Sequence, residues 1–370
     1  MFGERDTMCG SDQVGGLGHG GQWSDPAASD RRREAEAEAG AADDDLDHDH
    51  HVHDPELKPE SIMSRDGVSV SASPWGPDDE IGRLNWITPE SRRDIIEHLD
   101  GRAMFDLSVE LFMDMPTWVA AGDPSFQIFM THTPNGSVLD NLSGAGAEVH
   151  RKYSYSGDSI LMYSHTGTHM DLLNHLGFYG LFWNGWTTDK YLGSRHWMKG
   201  GPDHYPPIVA HSVLIDVAGM HGVDCLPDAY AVTPKDIKDT LKWQGTKVRK
   251  GDIVAVRTGR MTKWPDADAY MENSPGIGLA AAKYLAEELG AMCVGADTIG
   301  VEVIPHEEPD TFLPVHCYMF ATAGAQIIEN LWLEDIAHEK QYEFAFIGFP
   351  LKVRGSTGGL MRPVAIPLRA

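Results

Sequence analysis

Within Ser164–His175, three side chains that can bind metal ions, His165, His169 and Asp171, are spaced by four and by two. Even spacings place residues on one face of an extended chain, because strand side chains alternate with period two. Gly167 and the β-branched Thr166 and Thr168 disfavour helix, so a strand or extended turn is expected. Imidazole nitrogens and carboxylate oxygens gathered on one face suit zinc or manganese. After Asp171 the residues read as more helical, and such a turn could carry His175 back over the same site. A lone histidine near a strand is usually a hydrogen-bonded structural residue. Three histidines and an aspartate within eleven residues are harder to account for in that way.

Other patterns imitate active sites. His165–His169 has the HxxxH spacing but lacks the glutamate of the HExxH metalloprotease helix. Gly276-Ile-Gly278-Leu-Ala-Ala281 matches the dinucleotide fingerprint in form, yet Glu272-Asn-Ser-Pro275 precedes it where a strand is required, so it reads as a glycine-rich helix entry. No GxSxG nucleophile elbow occurs, which weakens a serine-hydrolase reading. The His48-Asp-His50-His51-Val-His53-Asp54 run sits in a polar, acidic stretch and reads as an adventitious metal binder.

The elements that must position these residues begin after that stretch. Residues 1–60 carry 16 acidic and 5 basic side chains with few large apolar ones, so they cannot offset their ordering entropy and read as a disordered acidic, His-rich tail. Residues 61–370 have the composition of a packed domain. Thr88 can cap a helix starting at Pro89. Strand-like runs lie at 104–111, 159–163, 212–217, 252–258, 292–295 and 343–353, with helical patterns at 233–243, 279–289 and 326–337. Their alternation argues for an α/β domain. The chain's charge of −25 repels nucleic acid and anionic membranes, and no apolar run approaches the ~20 residues of a membrane span. Four scattered cysteines, without a CxxC pair or a visible secretory signal, fit the cytoplasm.

The segment His165-Thr-Gly-Thr-His-Met-Asp-Leu-Leu-Asn-His175 resembles the HxGTHxD…H signature of the cyclase-like metal-dependent hydrolases, which include bacterial kynurenine formamidase and isatin hydrolase. Trp75–Asn85, Phe105–Ser108 with Asp114–Pro116, Val294–Thr298, His316 through Glu329-Asn330-Leu331, and Phe344–Ile366 are similar to further family segments. They follow in order over about residues 70–368. The chain departs at Leu173, where kynurenine formamidases usually carry proline, and its spacing from His316 to Glu329 matches the longer members.

The resemblance implies a swivelling β/β/α fold, with a barrel-like sheet flanked by helices. It implies His165, His169 and Asp171 as metal ligands, His316 and Glu329 as completing the site or holding a second ion, and His175 as the catalytic acid/base. A divalent metal, Zn or Mn, would activate water against an amide bond, N-formyl or cyclic, of a small aromatic or apolar substrate. The aromatic run Phe178–Trp186 is expected to line or cover the pocket, or else to fill core. A homo-oligomer is implied as well. Alternatives are a lactone or ester hydrolase of the same family, a non-catalytic metal- or small-molecule-binding protein, and a protein recruiting basic partners through its acidic tail.

Overall fold

A computed structural model describes residues 58–141, 143–307 and 311–369. The expected tail of residues 1–60 lies outside the described residues except for its last three. Glu60 already opens a strand, Glu60–Arg65, which hairpins with Val68–Ala72.

Nine strands form the main sheet: β1 (Phe105–Asp106), β2 (His169–Asp171), β3 (Ile208–Asp216), β4 (Ile253–Arg257), β5 (Cys293–Ala296), β6 (Gln326–Glu329), β7 (Glu343–Gly348), β8 (Gly358–Leu360) and β9 (Val364–Pro367). Their order is β8-β2-β6-β5-β4-β3-β7-β9-β1. The four central strands, β3 to β6, are parallel, and the remaining pairings are antiparallel. The sheet curls into a half-barrel flanked by helices, the α/β architecture expected above.

The parallel strands are buried on both faces, so they read as nearly continuous apolar runs. On one face Val213, Ile215, Val254, Val256 and Val294 pack with Ile237, Ala281 and Leu285 of the covering helices. Alternate residues of the same strands, Leu214, Ile253, Ala255 and Cys293, point the other way onto Leu84, Leu107, Phe344 and Phe346.

Helix α1 (Pro89–Glu97) starts where Thr88 predicts, with Thr88 and Ser91 closing a reciprocal capping box. Helix α2 (Pro234–Gln244) repeats the device with Thr233 and Asp236 and stops at Gly245, φ +72°. Helix α3 (Leu279–Lys283) and α4 (Pro314–Cys317) each run into a π-helical turn, at Tyr284–Glu288 and Tyr318–Thr322. The helical pattern at 326–337 is corrected: it divides into β6 and a short helix, α5 (Glu334–His338). Gln326-Ile-Ile-Glu329 is wholly buried between two strands, and that pairing overrides its helical periodicity.

Residues 127–161 leave this body as an arm. A hairpin of Gln127–His132 with Gly157–Leu161 carries two short helices, Pro134–Asp140 and Ala147–His150, that bury no residue. Among the described residues no helix is long and apolar enough to cross a membrane.

Candidate metal centre

Strand β2 is antiparallel to β6, with His169 directly opposite Glu329. Directly opposed residues point to one face of a sheet, so pairing alone sets this imidazole beside this carboxylate. On its other side β2 pairs with β8, where Gly358 faces Asp171. His169 and Asp171 therefore share a strand face as their spacing predicts. His165 does not: it enters from a bend before the strand, in which Gly167 takes φ +64°. A turn closed by His175 N–H donating to Leu172 O (2.9 Å), and not a helix, returns His175 to the site. His316 arrives on α4.

All six predicted residues converge. Asp171 is the hub: its Oδ1 lies 2.5 Å from His165 Nδ1 and 3.1 Å from His169 Nε2, and its Oδ2 3.6 Å from His316 Nε2 and 3.8 Å from His175 Nε2. Glu329 reaches His316 Nε2 at 3.0 Å and His169 Nε2 at 3.4 Å. Two sets, His165/Asp171/His175 and His169/Asp171/Glu329, each bring their ligand atoms within 4.8 Å of one another and share Asp171. Only His175 has appreciable exposure, 18% of its side chain, and its ring stacks on His165 at 4.0 Å.

The donor set fits a divalent cation. His169 Nδ1 donates to Gly167 O (2.7 Å), which leaves Nε2 as the lone-pair nitrogen. That nitrogen is buried, has no hydrogen-bond partner, and faces two carboxylates. Acceptors facing acceptors in a dry site are unfavourable unless a cation lies among them. The field points the same way. Burial opposes charge on His169, but Asp171 and Glu329 outweigh it and raise its pKa. Burial, then the nearby Asp171, raises that of Glu329. Burial and then the His165 imidazole push His175 down to about 3, which keeps its ring neutral.

Further residues brace the cluster. Asn330, at φ +54°, donates from Nδ2 to Gly167 O (2.9 Å), and Thr168 Oγ1–H donates to Asn330 O (2.7 Å). Thr357 Oγ1 lies 3.0 Å from His165 Nε2. Sequence reading misses Glu302, whose buried carboxylate sits 2.5 Å from His316 Nδ1. Val301-Glu302-Val303 looks like a strand with an outward carboxylate, so no local signal marks it.

The dinucleotide-like glycines have a structural use. A Cβ on Gly276 would fall 2.3 Å from the Glu302 backbone, so only glycine lets these segments touch. The aromatic run 178–186 fills core more than pocket. Trp183 and Trp186 are buried, and Trp183 Nε1–H donates to Asp79 (3.1 Å). The rings near the site are Tyr163, 4.8 Å from His165, and Phe320, 6.2 Å from His175.

Residues 105–303 match the family described as putative cyclase. Among solved structures, the chain is similar to one described as a novel cyclase, at 27% identity and TM-score 0.69, covering 79% of this chain and 95% of that one. It also resembles isatin hydrolase A from Ralstonia solanacearum (20% identity, TM-score 0.54, 72% and 92% covered). Isatin hydrolase A from Labrenzia aggregata, solved with benzyl benzoate, matches at 22% identity and TM-score 0.51, with 72% and 93% covered. At those identities the isatin hydrolases show a shared fold. No curated protein matches the chain in sequence.

Proposed function

The chain belongs to the putative cyclase family, and from that premise we propose that residues 61–370 form a metal-dependent hydrolase cleaving an amide bond, N-formyl or cyclic, of a small aromatic or apolar substrate. One observation carries the reading: the unpartnered, buried His169 Nε2 faces the Asp171 and Glu329 carboxylates, with His165 and His316 closing round them.

A zinc or manganese ion held by His165, His169, Asp171, His316 and Glu329 would lower the pKa of bound water to about 7 and polarise a carbonyl. The chain supplies the rest. His175, the most exposed of the six, accepts the proton of the attacking water, and its lowered pKa favours handing that proton on to the leaving nitrogen. Its stacking on His165 fixes the ring plane for both transfers. Tyr163, tilted against the His165 ring, gives the site an aromatic wall, which supports an aromatic or apolar substrate. Isatin is a cyclic amide, and the shared fold makes it the first lactam to try.

The test is turnover of an aryl formamide, isatin and an enol lactone by the same preparation. The amidase reading expects the first two to be cleaved faster. Preference for the lactone would replace it with the esterase reading. Chelation should abolish activity, and zinc or manganese should restore it. His175→Ala should keep its metal and lose turnover by ~100-fold or more; full activity would remove His175 from the mechanism.

The working form is a homo-oligomer built through the 127–161 arm. Phe129, Met130, Ile160 and Leu161 are all exposed, on both faces of a hairpin that by itself is marginally stable. The arm carries a net charge of only −1 in a chain of −25. Two such acidic chains can approach where charge is scarce, so the segment suits a second copy better than a basic partner. Unpaired Cys225, Cys293 and Cys317 support a reducing, cytoplasmic setting.

A further inference from the structure

We propose that Glu302 is the positioning residue of the site: its carboxylate fixes the tautomer and orientation of His316. The inference rests on His316 being a ligand, as read above.

Glu302 is 1% exposed, and its carboxylate meets donors from two histidines and one backbone turn. Its Oε1 takes the His316 backbone N–H at 3.1 Å and lies 2.5 Å from the same residue's Nδ1. Its Oε2 takes the Val315 N–H at 3.4 Å and lies 3.4 Å from His306 Nδ1. Gripping both the backbone and the ring of His316 leaves that side chain little rotational freedom. With Nδ1–H committed to Glu302, Nε2 is the ring nitrogen left to bind a metal, and it faces Glu329 Oε1 at 3.0 Å and Asp171 Oδ2 at 3.6 Å. A second carboxylate behind a ligating imidazole also raises its basicity.

The backbone is shaped to hold this carboxylate in place. Val301, a β-branched residue, takes φ +54°, a conformation such residues rarely adopt. Glu302 N–H closes a tight turn onto Gly300 O. Ile277 N–H donates to Val301 O (2.8 Å), and Gly276 lies flush against the Glu302 backbone. Strained backbone of this kind persists where surrounding structure over-determines it, and it gathers at functional sites. Simple capping of α4 would need none of it, since an exposed serine or aspartate caps as well.

The experiment measures zinc affinity of the full-length protein by competition with a chelator strong enough to silence the His48–His53 run. Glu302→Gln keeps the volume and one acceptor oxygen but removes the charge. It should bind zinc about 10–100-fold more weakly with an unchanged melting temperature in the metal-free state. Glu307→Gln, at a nearby exposed carboxylate that accepts Leu279 N–H and does not touch His316, should bind as wild type. Wild-type affinity in folded Glu302→Gln overturns the proposal. Should that variant not fold, 15N histidine spectra of the zinc-loaded wild type decide. A proton on His316 Nδ1 with a metal-shifted Nε2 upholds the assignment, and the reverse pattern overturns it. Absence of tight zinc in the wild type would instead strike the functional reading itself.

Discussion

Gly358 shows how far one missing methyl reaches. A Cβ there would lie 2.8–3.0 Å from three atoms of the His165 ring, so alanine must push that imidazole off Asp171. Gly358→Ala should therefore weaken metal binding by 10-fold or more and cost about 1–3 kcal/mol; chelator competition and denaturant titration read the two effects. Asp297 gives a prediction in pH. It accepts from Thr258 N–H, Thr258 Oγ1–H and Gly259 N–H, yet burial pushes its pKa up to about 6 from 3.8. A carboxyl with a raised folded pKa binds more protons folded than unfolded, so its ionisation lowers stability as pH rises from about 4 to 6. Asp297→Asn should then gain on wild type by on the order of 1–3 kcal/mol between pH 4 and pH 7.5. A pH-independent difference in unfolding free energy would contradict this. His165, His169 and Asp171 were legible as candidate ligands because histidine and aspartate are uncommon at such spacing, whereas His316 and Glu329 came only with the family resemblance. Glu302 was not, because its role appears only when α4 and the Val301 turn meet in space.

Elements were legible where local chemistry and tertiary pairing agree. Thr88-Pro-Glu-Ser91 and Thr233-Pro-Lys-Asp236 start helices in the sequence and do so in the structure. Thr88→Ala should cost about 1 kcal/mol with activity unchanged, since α1 lies away from the metal cluster; denaturant titration tests it, and no loss would mean that packing alone holds the helix start. Parallel strands β3, β4 and β5 announce themselves as apolar runs. The segment 326–337 misled because Gln326–Glu329 obtains its conformation from β5 and β2 on either side, which no local window contains. For the same reason the opposition of His169 and Glu329, 160 residues apart in sequence, could be expected from family resemblance but not from spacing.

On the scale of the whole molecule, the charge of −25 divides unevenly: residues 1–60 hold −11 of it and five of the 18 histidines. The arm is the counterpart, a nearly neutral, apolar projection whose use no composition average reveals. In full-length protein at tens of micromolar, Phe129→Ser with Ile160→Ser should convert an oligomer to a monomer in light-scattering chromatography. A monomeric wild type would contradict that. The tail and the buried cluster are both rich in metal-binding groups, and they must be told apart. The direct measurement is metal content after exhaustive desalting of wild type, of Asp171→Ala, and of a variant with His48, His50, His51 and His53 all changed to alanine. At least one tightly held zinc or manganese per chain should survive in wild type and in the tail variant and be lost with Asp171. Metal that persists in Asp171→Ala, or disappears with the tail histidines, would contradict a catalytic ion in the core.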